Sequence, residues 1–299
     1  MPVLLKKQMP VLAKLQGTGV PAYGPEDPLP EKVDLRLAVL NLMPNKEETE
    51  EQLLQLLADS PRRVEVSFIA LRSYRPKHTS PEYMSRWYEG FSTLAQEGID
   101  GLIITGAPLE HLDFARVLYW QELTEIMDYA RARIPSTLFL CWAAPAALWH
   151  YYQIPISLVE KKISGVFPHR FAQRSPLFRG IDPPLSFPHS RYFTIKPDSL
   201  KDTDLGIVAK SRAAGISILA SPEGRQVYVA GHFEYGRDTL HKEYFRDLAR
   251  GLDVRMPEHY YPGDNAQNPP PWSWRETAAK FYGNWLHYCA GRKGAWKKR

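Results

Sequence analysis

Four short apolar runs, Leu35-Arg-Leu-Ala-Val-Leu40, Val64-Glu-Val-Ser-Phe-Ile-Ala70, Gly101-Leu-Ile-Ile-Thr105 and Thr137-Leu-Phe-Leu140, alternate with longer segments whose apolar residues recur at helical spacing. Leu53, Leu54 and Leu57 mark the first such segment, 46–59, and 81–97 and 119–133 follow the same pattern. Near-continuous apolar strands separated by helices have few packing solutions, and the favoured one is a mostly parallel, doubly wound α/β sheet. Asn45 stands as N-cap of the first helix, with Glu48 in capping-box register. Ligands of such sheets bind at the carboxyl ends of the strands, so residues 41–46, 105–110 and 141–142 are expected to meet in one crevice.

The flanks are less regular. Residues 1–33, rich in Pro and Gly, read as an irregular N-terminal arm, 34–291 as a single domain, and 292–299 as a solvated basic tail. Beyond residue 152 the pattern loosens into Pro-rich and polar connections. A strand returns at Gln226-Val-Tyr-Val-Ala230, a helix at 239–250, an extended wrap at 254–273 and a last helix at 274–290.

Composition narrows the classes. Two cysteines in 299 residues give no disulfide framework, so a reducing, cytoplasmic setting is expected. The opening residues lack a signal-peptide pattern, and no run is long and apolar enough to span a bilayer. The net charge of +5 owes much to the terminal lysines and arginines, and without a recognition motif it does not point to nucleic acid. No metal site is expected, since the histidines are scattered and neither CxxC nor HExxH occurs.

Three positions suggest chemistry. Cys141 lies between a strand and a helix, where a sharp turn exposes a thiol and the positive helix end favours thiolate. His232 and Glu234, in Ala230-Gly-His-Phe-Glu-Tyr-Gly236, project to one side if extended geometry persists that far. They then suit a base and the group that orients it. The Gly106-Ala107-Pro108 turn either supplies backbone N–H groups and room for a ligand or is simply a tight connection.

Taken in order, Asn41-Leu-Met-Pro-Asn-Lys46 with Thr49-Glu50, Gly101 to Pro108, Tyr119-Trp-Gln-Glu-Leu123, Cys141-Trp142, Gly165-Val-Phe167, Pro188-His-Ser-Arg191, Gly231-His-Phe-Glu-Tyr235 and Asn284-Trp-Leu286 resemble the MetA family of homoserine O-acyltransferases. The resemblance implies a flavodoxin-like sheet similar to class I glutamine amidotransferases. It implies acyl transfer to the homoserine hydroxyl by a ping-pong route, with Cys141 as acyl-thioester nucleophile, His232 as base, Glu234 as its partner and the Trp142 backbone N–H facing the oxyanion. Lys162, Ser190 and Arg246 match the family's amino-acid-binding positions, and Lys46 matches a lysine of its first-helix motif. Glu110 matches a donor-size filter where Glu accompanies acetyl-CoA and Gly succinyl-CoA. Expected partners are therefore L-homoserine and acyl-CoA, with acetyl-CoA as co-substrate and no resident cofactor; no nucleic acid or membrane is expected, and a homodimer is left open. The chain departs from the family at Pro145, commonly Gln, and at Phe233, commonly Pro. Serine as acceptor, succinyl-CoA as donor and glutamine hydrolysis are the rival readings, although Phe139 and Ala143 replace the glycines that usually flank a glutaminase nucleophile.

Overall fold

The computed structural model describes residues 2–28 and 32–292. In chain order it forms β1 (Val3–Leu5), α1 (Pro10–Gly17), β2 (Ala22–Tyr23), β3 (Leu35–Leu40), α2 (Lys46–Ala58), β4 (Val64–Ala70), α3 (Pro81–Trp87), β5 (Glu89–Gly90), α4 (Phe91–Glu97) and β6 (Gly101–Ile104). There follow α5 (Trp120–Arg133), β7 (Thr137–Leu140), α6 (Ala143–Tyr152), β8 (Ser157–Phe171), β9 (Leu185–Thr194), β10 (Gly206–Ser211), β11 (Gly215–Ala220), β12 (Gln226–Val229), α7 (Thr239–Ala249) and α8 (Arg275–Arg292).

One sheet runs in the order β2-β1-β4-β3-β6-β7-β12-β11-β10-β8-β9, with β5 added to β4. From β2 to β12 the pairs are parallel; β11, β10, β8 and β9 are antiparallel. Side chains alternate between two cores, as strand geometry requires. Leu37, Val39 and Ile103 pack on the face with Leu53, Leu57 and Trp285, while Ala38, Leu40 and Ile104 pack on the face with Leu123, Met127 and Ala147. Full burial of each such leucine is worth about 1.5–3 kcal/mol, so both faces are firmly covered.

Register aligns the strand ends. Leu40 pairs with Ile104, Ile104 with Phe139, and Leu140 with Val229. The segments that follow β3, β6, β7 and β12 therefore leave the sheet along one edge, where the expected crevice lies. Asn45 caps α2 by accepting from the Glu48 N–H.

Three expectations are corrected. The N-terminal arm is not irregular, because β1 joins β4 in parallel and Val3, Leu12 and Leu15 are buried. The segment 81–97 is two helices, since Tyr88 is buried and sends its hydroxyl to Glu50 while Glu89 and Gly90 pair with β4. The region after residue 152 contains a long antiparallel ladder, masked in the sequence by charged residues and by Pro168 and Pro188 within the β8–β9 pair. Gly165 in that ladder is required: a Cβ there would lie 2.3 Å from the Glu258 carbonyl oxygen. The basic tail at 293–299 lies outside the described residues, and Arg292 belongs to α8, where it pairs with Glu223. No helix among the described residues is long and apolar enough to cross a membrane.

Candidate active site

Cys141 occupies the one-residue step between β7 and the turn into α6, with φ at 48°. A β-carbon crowds the following carbonyl in that region, so a non-glycine residue is held there only by its surroundings. Here the Cys141 N–H donates to Val229 O at 2.8 Å, and α6 behind it is buried from Ala143 to Leu148. The turn lifts the thiol off the sheet edge with the helix N-terminus beneath it. Pro145 falls in the first turn, where its missing N–H leaves no helical bond unmade.

Gly106 keeps the space beside the thiol open. A Cβ at that position would sit 3.0 Å from Cys141 Cβ, 3.4 Å from Trp142 N and 3.5 Å from Cys141 Sγ. The small volume next to the sulfur is thus bordered by the Trp142 backbone nitrogen.

His232 and Glu234 do meet, but not by strand alternation. The strand ends at Val229, the His232 N–H donates to Pro188 O at 2.8 Å, and a turn at Phe233-Glu234 brings Glu234 Oε1 to 2.6 Å from His232 Nδ1. Phe233 points the other way, stacking on Phe187 and Phe281. His232 and Glu234 are both buried, and His232 Nε2 has no aligned hydrogen-bond partner among the described residues. It nonetheless lies close enough to Cys141 to feel its charge. Burial works against a charged imidazole, yet negative charge on Cys141 and Glu234 overcomes it and raises the His232 pKa well above its ordinary value. The arrangement leaves one ring nitrogen of His232 held by Glu234 and the other free on the side of the thiol, the geometry that a base for Cys141 requires.

Beside this group lies a cluster of charges. Lys162 on β8 reaches Asp247 at 3.1 Å and Glu243 at 3.7 Å. Ser190 on β9 donates its hydroxyl to Glu243, and Arg246 holds Asp247 through Nε at 2.9 Å. Tyr235 joins the two halves, its ring 3.9 Å from that of His232 and its hydroxyl donating to Glu243 at 2.8 Å. Burial raises the Glu110 pKa, while a backbone hydrogen bond and the positive charges of Lys162, His111 and His232 oppose the rise.

Lys46 is brought to the crevice but not into this cluster. It is buried and donates to the carbonyls of Asn41 and Met43. Burial lowers its pKa to about 8, with Glu50 partly opposing the shift. Glu243, Asp247 and Tyr235 are absent from the sequence-derived set. The signal for the first two was there: Glu243 and Asp247 are four residues apart on an expected helix, on the face next to Arg246. Among the described residues no group of three His, Cys, Asp or Glu is placed to hold a metal.

A family model described as homoserine O-succinyltransferase matches residues 2–295. The chain is 38% identical over 292 residues to a homoserine O-acetyltransferase 1 of Ilyobacter polytropus, covering 97% of each chain. It is 41% identical over 295 residues to a homoserine O-acetyltransferase of Thermotoga petrophila, covering 98% of this chain and 97% of the other. Among solved structures, a glutamine amidotransferase from Thermotoga maritima superposes with a TM-score of 0.54 at 10% identity, over 88% of this chain and 98% of that one. That last likeness concerns the fold alone.

Proposed function

The chain belongs to the homoserine O-succinyltransferase family, and from that membership we propose that it is an acetyl-CoA:L-homoserine O-acetyltransferase working through an acyl-thioester on Cys141. The observation that carries the mechanism is the Cys141 thiol at a positive-φ turn, facing a buried His232 whose other nitrogen is held by Glu234.

The thiolate attacks the thioester carbonyl of acetyl-CoA, and the new oxyanion faces the Trp142 N–H in the space Gly106 leaves. Collapse breaks the bond to the CoA sulfur, which leaves with a proton from His232. This is a thioester-to-thioester exchange and needs little driving force. Acylation then changes the base: the thioester is neutral, so the Cys141 charge that kept His232 protonated is gone, while the burial that disfavours imidazolium remains. The imidazole is now fit to take the proton of the homoserine hydroxyl. The alkoxide attacks the acyl carbon, the C–S bond breaks, and the thiolate and imidazolium return.

The acceptor is a zwitterion, and the charge cluster contains both complements. Arg246 offers a planar fork to the α-carboxylate, Glu243 and Asp247 offer negative charge to the α-ammonium, and Lys162 and Ser190 hold those carboxylates in place. Glu110 fills the space that the distal part of a succinyl group would need. Its raised pKa weakens the purely electrostatic part of that filter, so volume carries more of the selection.

Parallel kcat/KM measurements with acetyl-CoA and succinyl-CoA, and with L-homoserine and L-serine, test the assignment. Acetyl-CoA with L-homoserine should be the preferred pair. A preference for serine would move the acceptor assignment, and a preference for succinyl-CoA would remove the role given to Glu110.

A further inference from the structure

A groove of about 310 Å³ opens beside the thiol, between the turn after β3, the loop after β4 and the loop after β6. Its floor is apolar, with Leu42, Ala107, Leu109, Leu112, Val117 and Tyr119. Ala107 follows Gly106, whose would-be Cβ lies 3.5 Å from Cys141 Sγ, so the inner end of the groove adjoins the reacting sulfur. The charged lining is of one sign. Lys46, Lys77 and Arg116 carry it, with the His78 ring beside them, and no Asp or Glu lines the groove. Lys46 is committed to two carbonyls, whereas Lys77, His78 and Arg116 are exposed and enter no ion pair among the described residues.

The other cavities have different chemistry. A larger cleft of about 770 Å³ near Gly236 carries Glu47, Glu48, Glu51 and Asp238 against three basic side chains. A smaller one of about 240 Å³ borders Gly224, at the amino end of β12 and so on the opposite edge of the sheet from Cys141. Of these three, the first combines an apolar floor, an unbalanced cationic rim and a direct path to the thiol. Its outer wall is also fixed: Glu122 of α5 accepts from the N–H groups of Arg72 at 2.9 Å and Ser73 at 2.8 Å, which anchors the loop bearing Lys77 and His78. Leu118 at the lip leaves 80% of its surface in water, an apolar edge without a partner in the free protein.

We propose that this groove binds the leaving-group half of the acyl donor, with the pantetheine arm of CoA along the apolar floor and the nucleotide phosphates against Lys77, His78 and Arg116. The proposal rests on the acetyl-CoA reading of the preceding subsection. A slender amide-containing arm suits a narrow apolar channel, and phosphates supply the negative charge that the rim lacks. Lys46 then belongs to the donor side of the site, at the wall of the channel, rather than with the acceptor residues.

The test compares two donors on the full-length enzyme: acetyl-CoA, and the acetyl thioester of N-acetylcysteamine, which ends before the phosphates. In the double variant Lys77→Gln, Arg116→Gln the kcat/KM ratio of acetyl-CoA to the short thioester should fall at least about tenfold, as losing two charge-assisted contacts requires. Leu112→Trp, which obstructs the floor without changing charge, should raise KM for acetyl-CoA and leave KM for homoserine in place. An unchanged donor ratio in the double variant, or an unchanged acetyl-CoA KM in Leu112→Trp, overturns the groove assignment. A wild-type enzyme that takes acetyl from neither donor overturns the acetyltransferase reading itself, and the groove assignment with it.

Discussion

Replacing Glu234 with Gln keeps the size of the side chain and one acceptor oxygen but removes the charge that supports imidazolium on His232. The two groups are 2.6 Å apart, with side chains 2% and 6% exposed, so solvent screens their interaction little. A buried hydrogen bond to a charged group is worth about 1.5–3 kcal/mol. Its loss lowers the His232 pKa, because burial, which disfavours the charged ring, is then opposed by less negative charge. The sign follows from the carboxylate's preference for the protonated ring: without it the proton leaves more easily, so the acid limb of deacylation shifts to lower pH. A weaker base also lowers the plateau, by about 10- to 100-fold if most of the interaction is lost in the transition state. The assay is single-turnover decay of the acetyl-enzyme with homoserine across pH, in the wild type and in Glu234→Gln, with urea unfolding as a check on the fold. A lowered plateau with an unmoved acid limb would refute the reasoning, because Glu234 would then only orient the ring.

Glu110→Gly should raise the kcat/KM ratio of succinyl-CoA to acetyl-CoA at least about tenfold, read by initial rates with each donor; an unchanged ratio removes Glu110 from the acyl pocket. Gly106→Ala should leave the fold intact but slow acylation of Cys141 by about 100-fold, because the added methyl occupies the space 3.5 Å from the sulfur; stopped-flow release of CoA measures it, and a wild-type rate would contradict the geometry. The buried pair His169 and His189, 3.1 Å apart, makes stability fall in acid. Burial lowers the His169 pKa to about 4, so the unfolded chain, with an ordinary value of 6.5, binds more protons between the two. The contribution is therefore full above pH 6.5 and is lost as pH falls through about 4, amounting to roughly 3 kcal/mol. Urea midpoints at pH 7 and pH 4.5 should show a smaller drop in His169→Gln than in the wild type; equal drops would place the acid sensitivity elsewhere.

The parallel half of the fold is legible in the sequence because β3, β4, β6 and β7 are largely buried on both faces and read as near-continuous apolar runs, broken only by Arg36 in β3 and by Glu65 and Ser67 in β4. The antiparallel half is not. The first half of β8 is partly exposed and carries Glu160, Lys161 and Lys162, so period-2 alternation is blurred where one face meets solvent. The N-terminus misleads through its prolines: Pro10 starts a helix rather than breaking one, and Val3-Leu4-Leu5 is too short a run to signal a strand without its β4 partner. In the site, Cys141 is suggested by its place directly after β7, and His232 and Glu234 by their nearness in sequence beyond β12, although a turn at Phe233-Glu234 and not strand alternation brings those two together. Lys162, Ser190 and Arg246 are far apart in sequence and are joined only through Glu243 and Asp247, whose helix face looks solvated until β8 and β9 fold over it. Resemblance to a family named Lys162, Ser190 and Arg246; the i,i+4 spacing of Glu243 and Asp247 puts them on one helix face, and the folded chain joins that face to the other three.

The central claim is that acetyl rests covalently on Cys141 between the two half-reactions. Intact-mass and peptide mass spectrometry of the protein incubated with acetyl-CoA and no acceptor tests it most directly. The account requires one acetyl group per chain, on the peptide containing Cys141, discharged on adding L-homoserine and absent in Cys141→Ser. An unmodified chain that nevertheless turns over, or an undiminished adduct in Cys141→Ser, would contradict it.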